Sequence, residues 1–323
     1  MKKQYITDIL LPGSNVDSVF VVDNLDIKDS KIQNGNRFIL LGLHDKTGSI
    51  KGVFFNPPSN IIDDLKEGDI VYVKGFTSDS KYGYQINISQ IDILSETEYD
   101  IEDFLERSPR SVQEMVSETE SYINSIKDPE IQRFLKEWFS DSSFKKEYFT
   151  ATAAKTIHHA YIGGLAEHSL ETLKIALFLS ELKKEVNRDI IIAGSLLHDI
   201  GKIKDYKLST RIEITDDGKL FNHIILGFTM LNERLLVYEM NKRPWAKHLC
   251  HIILSHHGEL DEHSPVLPST MESAIIHYSD LISGRLDQFK RVLLTTDTNN
   301  SEWTENDRYL GRALYKGFIN RTE

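Results

Sequence analysis

The chain has 323 residues, of which 40% are hydrophobic and 27% are charged, and its formal net charge at pH 7 is −11. This length is enough for two domains, and the composition is that of a globular protein. The acidic balance argues against broad electrostatic binding to nucleic acid, but it allows a site where bound metal ions meet a phosphate. No apolar run reaches the ~20 residues of a membrane span, and no signal peptide is predicted. The single cysteine, Cys250, fits a reducing cytosol, so we expect a cytoplasmic protein without a membrane partner.

Residues 1–95 are predicted to form an all-β barrel. Five short strand-like runs are separated by turns rich in Gly, Pro and Asn, with a helical turn expected near residues 61–65. This pattern matches the small Greek-key barrel of OB-folds, and the segment Leu41–Ile50 resembles their strand–turn–strand unit. The predicted strands are Val19–Val22, Arg37–Leu41, Ile50–Phe55, Asp69–Val73 and Tyr84–Ile88.

Aromatic side chains of this barrel are the candidates for contacts with bases, because OB-folds hold single strands by stacking. Phe54 and Tyr72 are the predicted substrate-binding residues, and Tyr82 and Tyr84 are further aromatics of the region. The alternative is that Phe54 and Tyr72 fill the barrel, since aromatic residues are enriched in strands. Acidic and basic residues nearly balance over residues 1–95, so the barrel either assists RNA binding or serves as an assembly surface.

The pattern beyond the barrel predicts helices. We expect a helical connector over residues 96–150, an all-α domain over residues 151–295 and a tail over residues 296–323. Capping signals at Ser111–Glu114 and Asp128–Pro129 mark helix starts in the connector. Of the 12 histidines only one precedes residue 158, so metal chemistry is expected in the all-α domain.

An adjacent histidine and aspartate, His198 and Asp199, follow an apolar helical run. Their helix is predicted over residues 190–200, with Asp189 as its N-cap and Gly201 as its end. A neutral imidazole and a carboxylate suit a divalent metal, and the two oxygens of a carboxylate could bridge two ions.

Further metal-ligand types lie on other predicted helices. His168 lies on the inward face of a helix predicted over residues 165–182, which has a narrow polar strip that includes Glu171. His256 lies in the middle of an apolar face, with His257 nearer its edge. Asp280 lies opposite the apolar face of its helix, so periodicity alone predicts a surface residue, and it is a ligand only if that face lines a cleft.

His223 lies between the His198–Asp199 pair and the His256–His257 pair. The order of all these residues along the chain resembles that of the HD-domain superfamily of metal-dependent phosphohydrolases. The segment Lys155–Leu170, behind an OB-like barrel, is similar to the YhaM-type 3′→5′ exoribonucleases of Gram-positive bacteria, over essentially the whole chain. The resemblance implies an enzyme that trims single-stranded RNA, or also single-stranded DNA, and releases nucleoside 5′-monophosphates. It implies manganese as the metal, with cobalt, iron(II) or magnesium as alternatives.

Carried over to this sequence, the resemblance implies two metal sites joined by Asp199, with Asp199 and Lys202 as the catalytic residues. Lys202 would neutralise a phosphate oxygen, and its alternative is a solvated lysine beyond a helix end. The first site would contain His168, His198, Asp199 and Asp280, and the second Asp199, His223 and His256, with His257 as an alternative or additional ligand.

His158, His159 and Arg285 are the remaining candidates for substrate contacts. The two histidines could instead be structural residues at a helix end, and Arg285 could belong to a solvated face. The apolar residues of the tail suggest packing across a subunit interface, so a homo-oligomer is expected.

Two other functions stay open. One is an HD-domain nucleotide phosphohydrolase, which would not need an OB barrel. The other is a single-strand-binding or replication-associated protein whose HD domain is only structural, which the intact set of ligand types disfavours. Hydrolysis of cyclic dinucleotides is discounted, because no Gly-Tyr-Pro follows His256–His257.

Overall fold

The structure, a computed structural model, describes residues 2–29, 37–80, 83–95, 97–156, 158–295 and 301–317. It divides into two compact units, which we call the barrel unit (Met1–Glu106 with Ser209–Arg211) and the helical unit (Arg107–Leu208 with Ile212–Glu323). The domain boundaries after residues 95, 150 and 295 stay predictions. Tyr82 lies outside the described residues.

The barrel unit is a closed barrel with the strand order β1-β2-β3-β5-β4. β3 and β5 pair in parallel, and the other neighbouring strands pair antiparallel. The predicted OB-type barrel is therefore confirmed, with a helical turn before the fourth strand. The elements are β1 (Asn15–Asp29), β2 (Arg37–Asp45), β3 (Gly48–Phe55), α1 (Ser59–Asp64), β4 (Ile70–Ser80) and β5 (Gly83–Ile93).

The helical unit surrounds one hydrophobic core, in which α5 packs against α4, α6 and α10. A short hairpin, β6–β7, is the exception to the predicted all-α domain. No helix in the described ranges is both long and apolar enough to cross a membrane. The elements are α2 (Val112–Asn124), α3 (Pro129–Ser140), α4 (Ser142–Thr150), α5 (Gly164–Ser180), α6 (Arg188–Leu197), α7 (Lys202–Asp205), β6 (Tyr206–Leu208), β7 (Ile212–Ile214), α8 (Asp216–Val237), α9 (Pro244–Ser255) and α10 (Met271–Thr295).

The caps of the connector helices agree with the sequence, but the cap of α6 does not. The side chain of Asn187, not that of Asp189, accepts the first free N–H groups of α6, from Asp189 and Ile190. The Asp189 carboxylate instead accepts the N–H of Asp128 at 2.8 Å, just before α3. The predicted N-cap was wrong because a distant backbone amide competes for the same carboxylate.

Gly201 is needed for close approach, not for the helix end that the sequence predicts. Its φ of −63° is helical, so no left-handed conformation is involved. A Cβ atom at Gly201 would lie 1.8 Å from the carbonyl oxygen of His223 and 2.5 Å from the amide nitrogen of Gly227. The absence of a side chain therefore lets the segment that carries His198 and Asp199 touch the backbone of α8.

We expect Gly201→Ala to destabilise the helical unit by about 1–3 kcal/mol, because backbone atoms of α8 would have to move away. The matched control is Gly284→Ala in α10, where the nearest atom to the added Cβ lies at 3.6 Å. This control should stabilise the unit by about 0.5–1 kcal/mol, the usual gain from alanine within a helix. Denaturant unfolding followed by circular dichroism measures both, and equal effects of the two substitutions would contradict the close-approach argument.

Candidate metal centre

Two clusters of side chains in the helical unit bring metal-binding atoms together. Within each cluster one donor atom per residue lies within 4.8 Å of all the others. We call them the first cluster and the second cluster. The first cluster contains His168, His198, Asp199 and Asp280, and the second contains His223, His256 and His257.

In the first cluster, helices α5 and α10 and the turn after α6 bring their donor atoms close together. His168 Nε2, from α5, lies 2.9 Å from Asp280 Oδ1 on α10 and 3.5 Å from Asp199 Oδ2. His198 Nε2 lies 3.4 Å from both His168 Nε2 and Asp199 Oδ2. This grouping of two imidazoles and two carboxylates has the donor types of a divalent transition-metal site.

Asp199 connects the two clusters. While its Oδ2 faces the first cluster, its Oδ1 lies 3.5 Å from His223 Nε2 and 3.3 Å from His256 Nε2. Asp199 is only 1% exposed, so water does not satisfy these oxygens. One carboxylate thus offers an oxygen to each cluster, which is the arrangement that a bridging ligand requires.

The second ring nitrogens of His198 and His256 point away from the clusters, at backbone carbonyls. His198 Nδ1 lies 2.8 Å from the carbonyl oxygen of Ser195, and His256 Nδ1 lies 2.8 Å from that of Ile253. A carbonyl only accepts, so each Nδ1 carries a hydrogen, and this tautomer leaves the Nε2 lone pair facing the cluster.

Three of these facing atoms, Asp199 Oδ1, His223 Nε2 and His256 Nε2, are buried without a hydrogen-bond partner in the described structure. Buried polar atoms without a partner need an explanation, and bound cations explain all three. The residues present therefore fit divalent metal.

The electrostatics of the clusters favour neutral rings at His198 and His223, a charged ring at His168 and an ionised carboxylate at Asp199. Burial lowers the pKa of His198 to about 4 and lowers that of His223 well below its ordinary value, so both rings are neutral at pH 7. Burial acts to raise the pKa of Asp199, but the Lys202 ammonium and the neighbouring imidazoles outweigh it and hold that pKa well below its ordinary value. Burial likewise opposes a charge on His168, but Asp199 and Asp280 outweigh it and raise its pKa to about 9. The two carboxylates of the first cluster therefore favour a positive charge at the point that His168 Nε2 faces.

Lys202 is buried beside Asp199, with only 6% of the residue exposed. Its Nζ lies 2.5 Å from Asp199 Oδ2, and the side chain lines a cavity of about 490 Å³ beside the clusters. Burial acts to lower the pKa of Lys202, but Asp199 and Asp280 outweigh it and raise it. The alternative of a solvated lysine is therefore wrong, and a charged ammonium faces the cavity.

Asp280 is not the surface residue that periodicity predicts. Its side chain is 18% exposed and faces His168, while Ser283 on the same side of α10 is buried. The apolar side of α10 is the one in contact with solvent, since Tyr278 is 57% exposed and Leu286 is 63% exposed. The prediction failed because α10 uses its small polar face to line the cavity and to pack against α5.

The predicted substrate residues of the helical unit separate into two groups. His158 and Arg285 line the cavity, and burial lowers the pKa of His158 to about 3, so this ring is neutral. His159 is 1% exposed and is not among the lining residues, and its Nε2 lies 3.1 Å from Glu171 Oε2. A substrate contact by His159 is therefore not supported. Lining residues that the sequence analysis missed are Thr156, Tyr206, His277 and Gln288.

The barrel residues predicted to contact bases differ in exposure. Phe54 is 6% exposed and packs in the barrel core, so its predicted stacking role is contradicted because no ring face is free. Tyr72 is half-buried, and its hydroxyl donates to Asp17 Oδ1 at 2.7 Å. Phe55, which the pleat turns to the other side of β3, is 60% exposed, and its ring centroid lies 5.9 Å from that of Phe38 on β2.

Comparison with known proteins agrees with this architecture. Residues 165–284 match the HD domain, and residues 24–94 match the OB-fold nucleic acid binding domain. Over 285 residues the chain is 30% identical to the 3′-5′ exoribonuclease YhaM of Bacillus subtilis (strain 168), in an alignment that covers 88% of this chain and 89% of that protein. The chain belongs to the YhaM family. The resemblance noted in the sequence is confirmed, and the two clusters lie in the HD domain of a YhaM-family protein.

Solved structures also share similarity with the chain. The second OB-fold domain of replication protein A from Methanococcus maripaludis is 25% identical, with a TM-score of 0.25, over 30% of this chain and 97% of that one. A replication protein A heterotrimer bound to ssDNA is 18% identical, with a TM-score of 0.20, over 26% of this chain and 59% of that one. At TM-scores this low, neither structure bears on the function of this chain.

We expect Asp199→Asn to weaken Mn²⁺ binding at least about 100-fold, because losing the charge and one acceptor at a shared ligand costs more than losing an outer hydrogen bond. Isothermal titration of the metal-free protein measures this. The control is Asp216→Asn in the first turn of α8, where the carboxylate is 92% exposed. Unchanged Mn²⁺ affinity in Asp199→Asn would show that the clusters do not bind the metal through this residue.

Proposed function

We propose that this YhaM-family protein is a metal-dependent 3′→5′ exoribonuclease that hydrolyses single-stranded RNA to nucleoside 5′-monophosphates. The observation that carries the proposal is Asp199, buried between two clusters with one oxygen toward each. The family relationship supports the direction of trimming and the substrate. Single-stranded DNA is a second substrate of the same chemistry in this proposal.

The proposed site residues have distinct tasks. His168, His198 and Asp280 would hold one divalent ion, His223, His256 and His257 would hold another, and Asp199 would bind both. Ions bound there would supply an activated water and neutralise charge at the phosphorus. The Lys202 ammonium, which faces the cavity, would neutralise a non-bridging phosphate oxygen in the transition state. Arg285 and the neutral ring of His158 would hold the end of the RNA against these groups.

Manganese is the proposed metal, with cobalt, iron(II) and magnesium as alternatives. The two clusters together offer five imidazoles and two carboxylates. Imidazole ligands favour transition metals, whereas magnesium prefers oxygen ligands and water, so this mixture favours manganese, cobalt or iron(II).

We further propose a cytoplasmic homo-oligomer. The exposed apolar side chains of α10 support self-association, as do those of the described part of the tail, where Trp303 is 55% exposed and Tyr309 is 47% exposed. The single cysteine supports a reducing compartment.

The first test is digestion of 5′-labelled single-stranded RNA with Mn²⁺, beside the Asp199→Ala protein and a sample with EDTA. We expect a ladder that shortens from the 3′ end with the unaltered protein and intact RNA in both controls. Hydrolysis of free nucleotides, with release of phosphate or pyrophosphate and no cleavage of RNA, would support the nucleotide phosphohydrolase instead. Retention of RNA without any cleavage would support the single-strand-binding protein.

The exposed ring of Phe55, with the half-buried ring of Phe38 beside it, is the proposed stacking surface of the barrel, in place of Phe54. We expect Phe55→Ala to weaken binding of single-stranded RNA about tenfold, because one base stacked on an aromatic ring contributes about 1–3 kcal/mol. The control is Phe76→Ala, which removes another phenylalanine of the barrel that is 54% exposed. Fluorescence anisotropy with EDTA present separates binding from cleavage, and equal affinity of the two variants would count against the pair.

A further inference from the structure

His168 differs from its neighbours in how its second ring nitrogen is held. His198 and His256 each point Nδ1 at a backbone carbonyl three residues earlier, at 2.8 Å. His168 Nδ1 instead lies 3.1 Å from the hydroxyl oxygen of Ser283, on α10. The orientation of His168 therefore depends on a side chain from another helix, which substitution can remove.

The hydrogen bonds beyond Ser283 have a fixed direction. Ser283 Oγ lies 3.0 Å from Glu171 Oε2, and an ionised carboxylate only accepts, so the hydroxyl donates to Glu171. The lone pairs of Ser283 are then free to accept the Nδ1 hydrogen of His168. Hydrogen bonds from His159 and Ser283 outweigh the effect of burial and lower the pKa of Glu171, which keeps its carboxylate ionised.

His159 holds the far end of this series. Its Nε2 donates to the same Glu171 oxygen at 3.1 Å, and its backbone N–H donates to Asp287 Oδ2 at 2.8 Å. Its φ is +47°, and a Cβ atom at Gly164 would lie 2.0 Å from its carbonyl oxygen. The loop before α5 thus fixes the buried ring of His159 against Glu171.

We propose that His159, Glu171 and Ser283 form a hydrogen-bond relay that fixes His168 in the tautomer and orientation needed to bind metal in the first cluster. They are positioning residues, since the relay reaches the metal only through His168. With the hydrogen held on Nδ1, the ring presents Nε2 to Asp280 and Asp199, and a metal ion replaces any proton there. This inference rests on the proposed metal site and assigns His159 a role different from the substrate contact that the sequence suggested.

The experiment measures Mn²⁺ affinity of the metal-free, full-length protein by isothermal titration. Asp280→Asn identifies which of the two Mn²⁺ binding events belongs to the first cluster. We expect Ser283→Ala to weaken that same event by about 10–100-fold. Ser283→Thr keeps the hydroxyl and should restore most of that affinity. The matched control is Ser279→Ala, one turn earlier on α10, because Ser279 is equally buried but its hydroxyl returns to the carbonyl of Ile275 at 2.7 Å.

His159→Gln separates the relay from a substrate contact. The relay predicts weaker Mn²⁺ binding with an unchanged KM for RNA at saturating Mn²⁺. A substrate contact predicts a raised KM for RNA with unchanged Mn²⁺ binding. Glu171→Gln supplies a second test should Ser283→Ala not fold, since the Glu171 side chain is 42% exposed and its replacement is tolerated more easily. It should weaken Mn²⁺ binding about tenfold.

Two results would overturn the relay. If Ser283→Ala and Glu171→Gln bind Mn²⁺ as the unaltered protein does while Asp199→Asn does not, the metal site stands and the relay is wrong. If Asp199→Asn also binds Mn²⁺ normally, the proposed metal site fails, and the relay fails with it.

Discussion

A carboxylate removed from water must meet compensating positive charge, and at Asp199 this constraint organises the helical unit. Lys202 supplies charge at one oxygen, at 2.5 Å, but the other oxygen faces the Nε2 atoms of His223 and His256, and all three of these atoms are buried without a hydrogen-bond partner in the described structure. Ring nitrogens that make no hydrogen bond to this oxygen leave its charge uncompensated, and the proposed cations would complete the set. The close backbone contact at Gly201 holds the segment with Asp199 against α8, which carries His223. A side chain larger than that of glycine at position 201 would push these two segments apart.

The acidic balance of the chain constrains how it can hold RNA. With a net charge of −11, long-range attraction to phosphates is absent, so affinity must come from short-range contacts. Stacking on exposed rings such as Phe55 needs no net charge, and the cavity offers Lys202 and Arg285 as local cations. A substrate is therefore held by local contacts, which suits an enzyme that works on a free strand end.

The sequence predicted those features that one helix or strand determines by itself. His168 and His256 were expected to face inward, and both are fully buried, because an apolar helical face must pack on the core. The stacking role expected of Phe54 and the surface position that periodicity alone gave Asp280 were wrong, because burial there depends on which side of the element meets its neighbours. The Ser283–Glu171 hydrogen bond joins residues 112 positions apart, so no local pattern could indicate it, and Glu171 looked only like part of a polar strip.

Helix α10 shows why its own amphipathic pattern was misleading. A helix usually orients by burying its apolar side, but most of the buried side of α10 is polar, since Asp280 faces His168 and Ser283 joins His168 to Glu171, with Ile276 as the apolar residue on that side. These contacts turn Tyr278 and Leu286 toward solvent. The buried polar contacts, together with Ile276 in the hydrophobic core, offset the exposed apolar surface. The same helix therefore links metal binding, through His168, to the surface that the proposed homo-oligomer would cover.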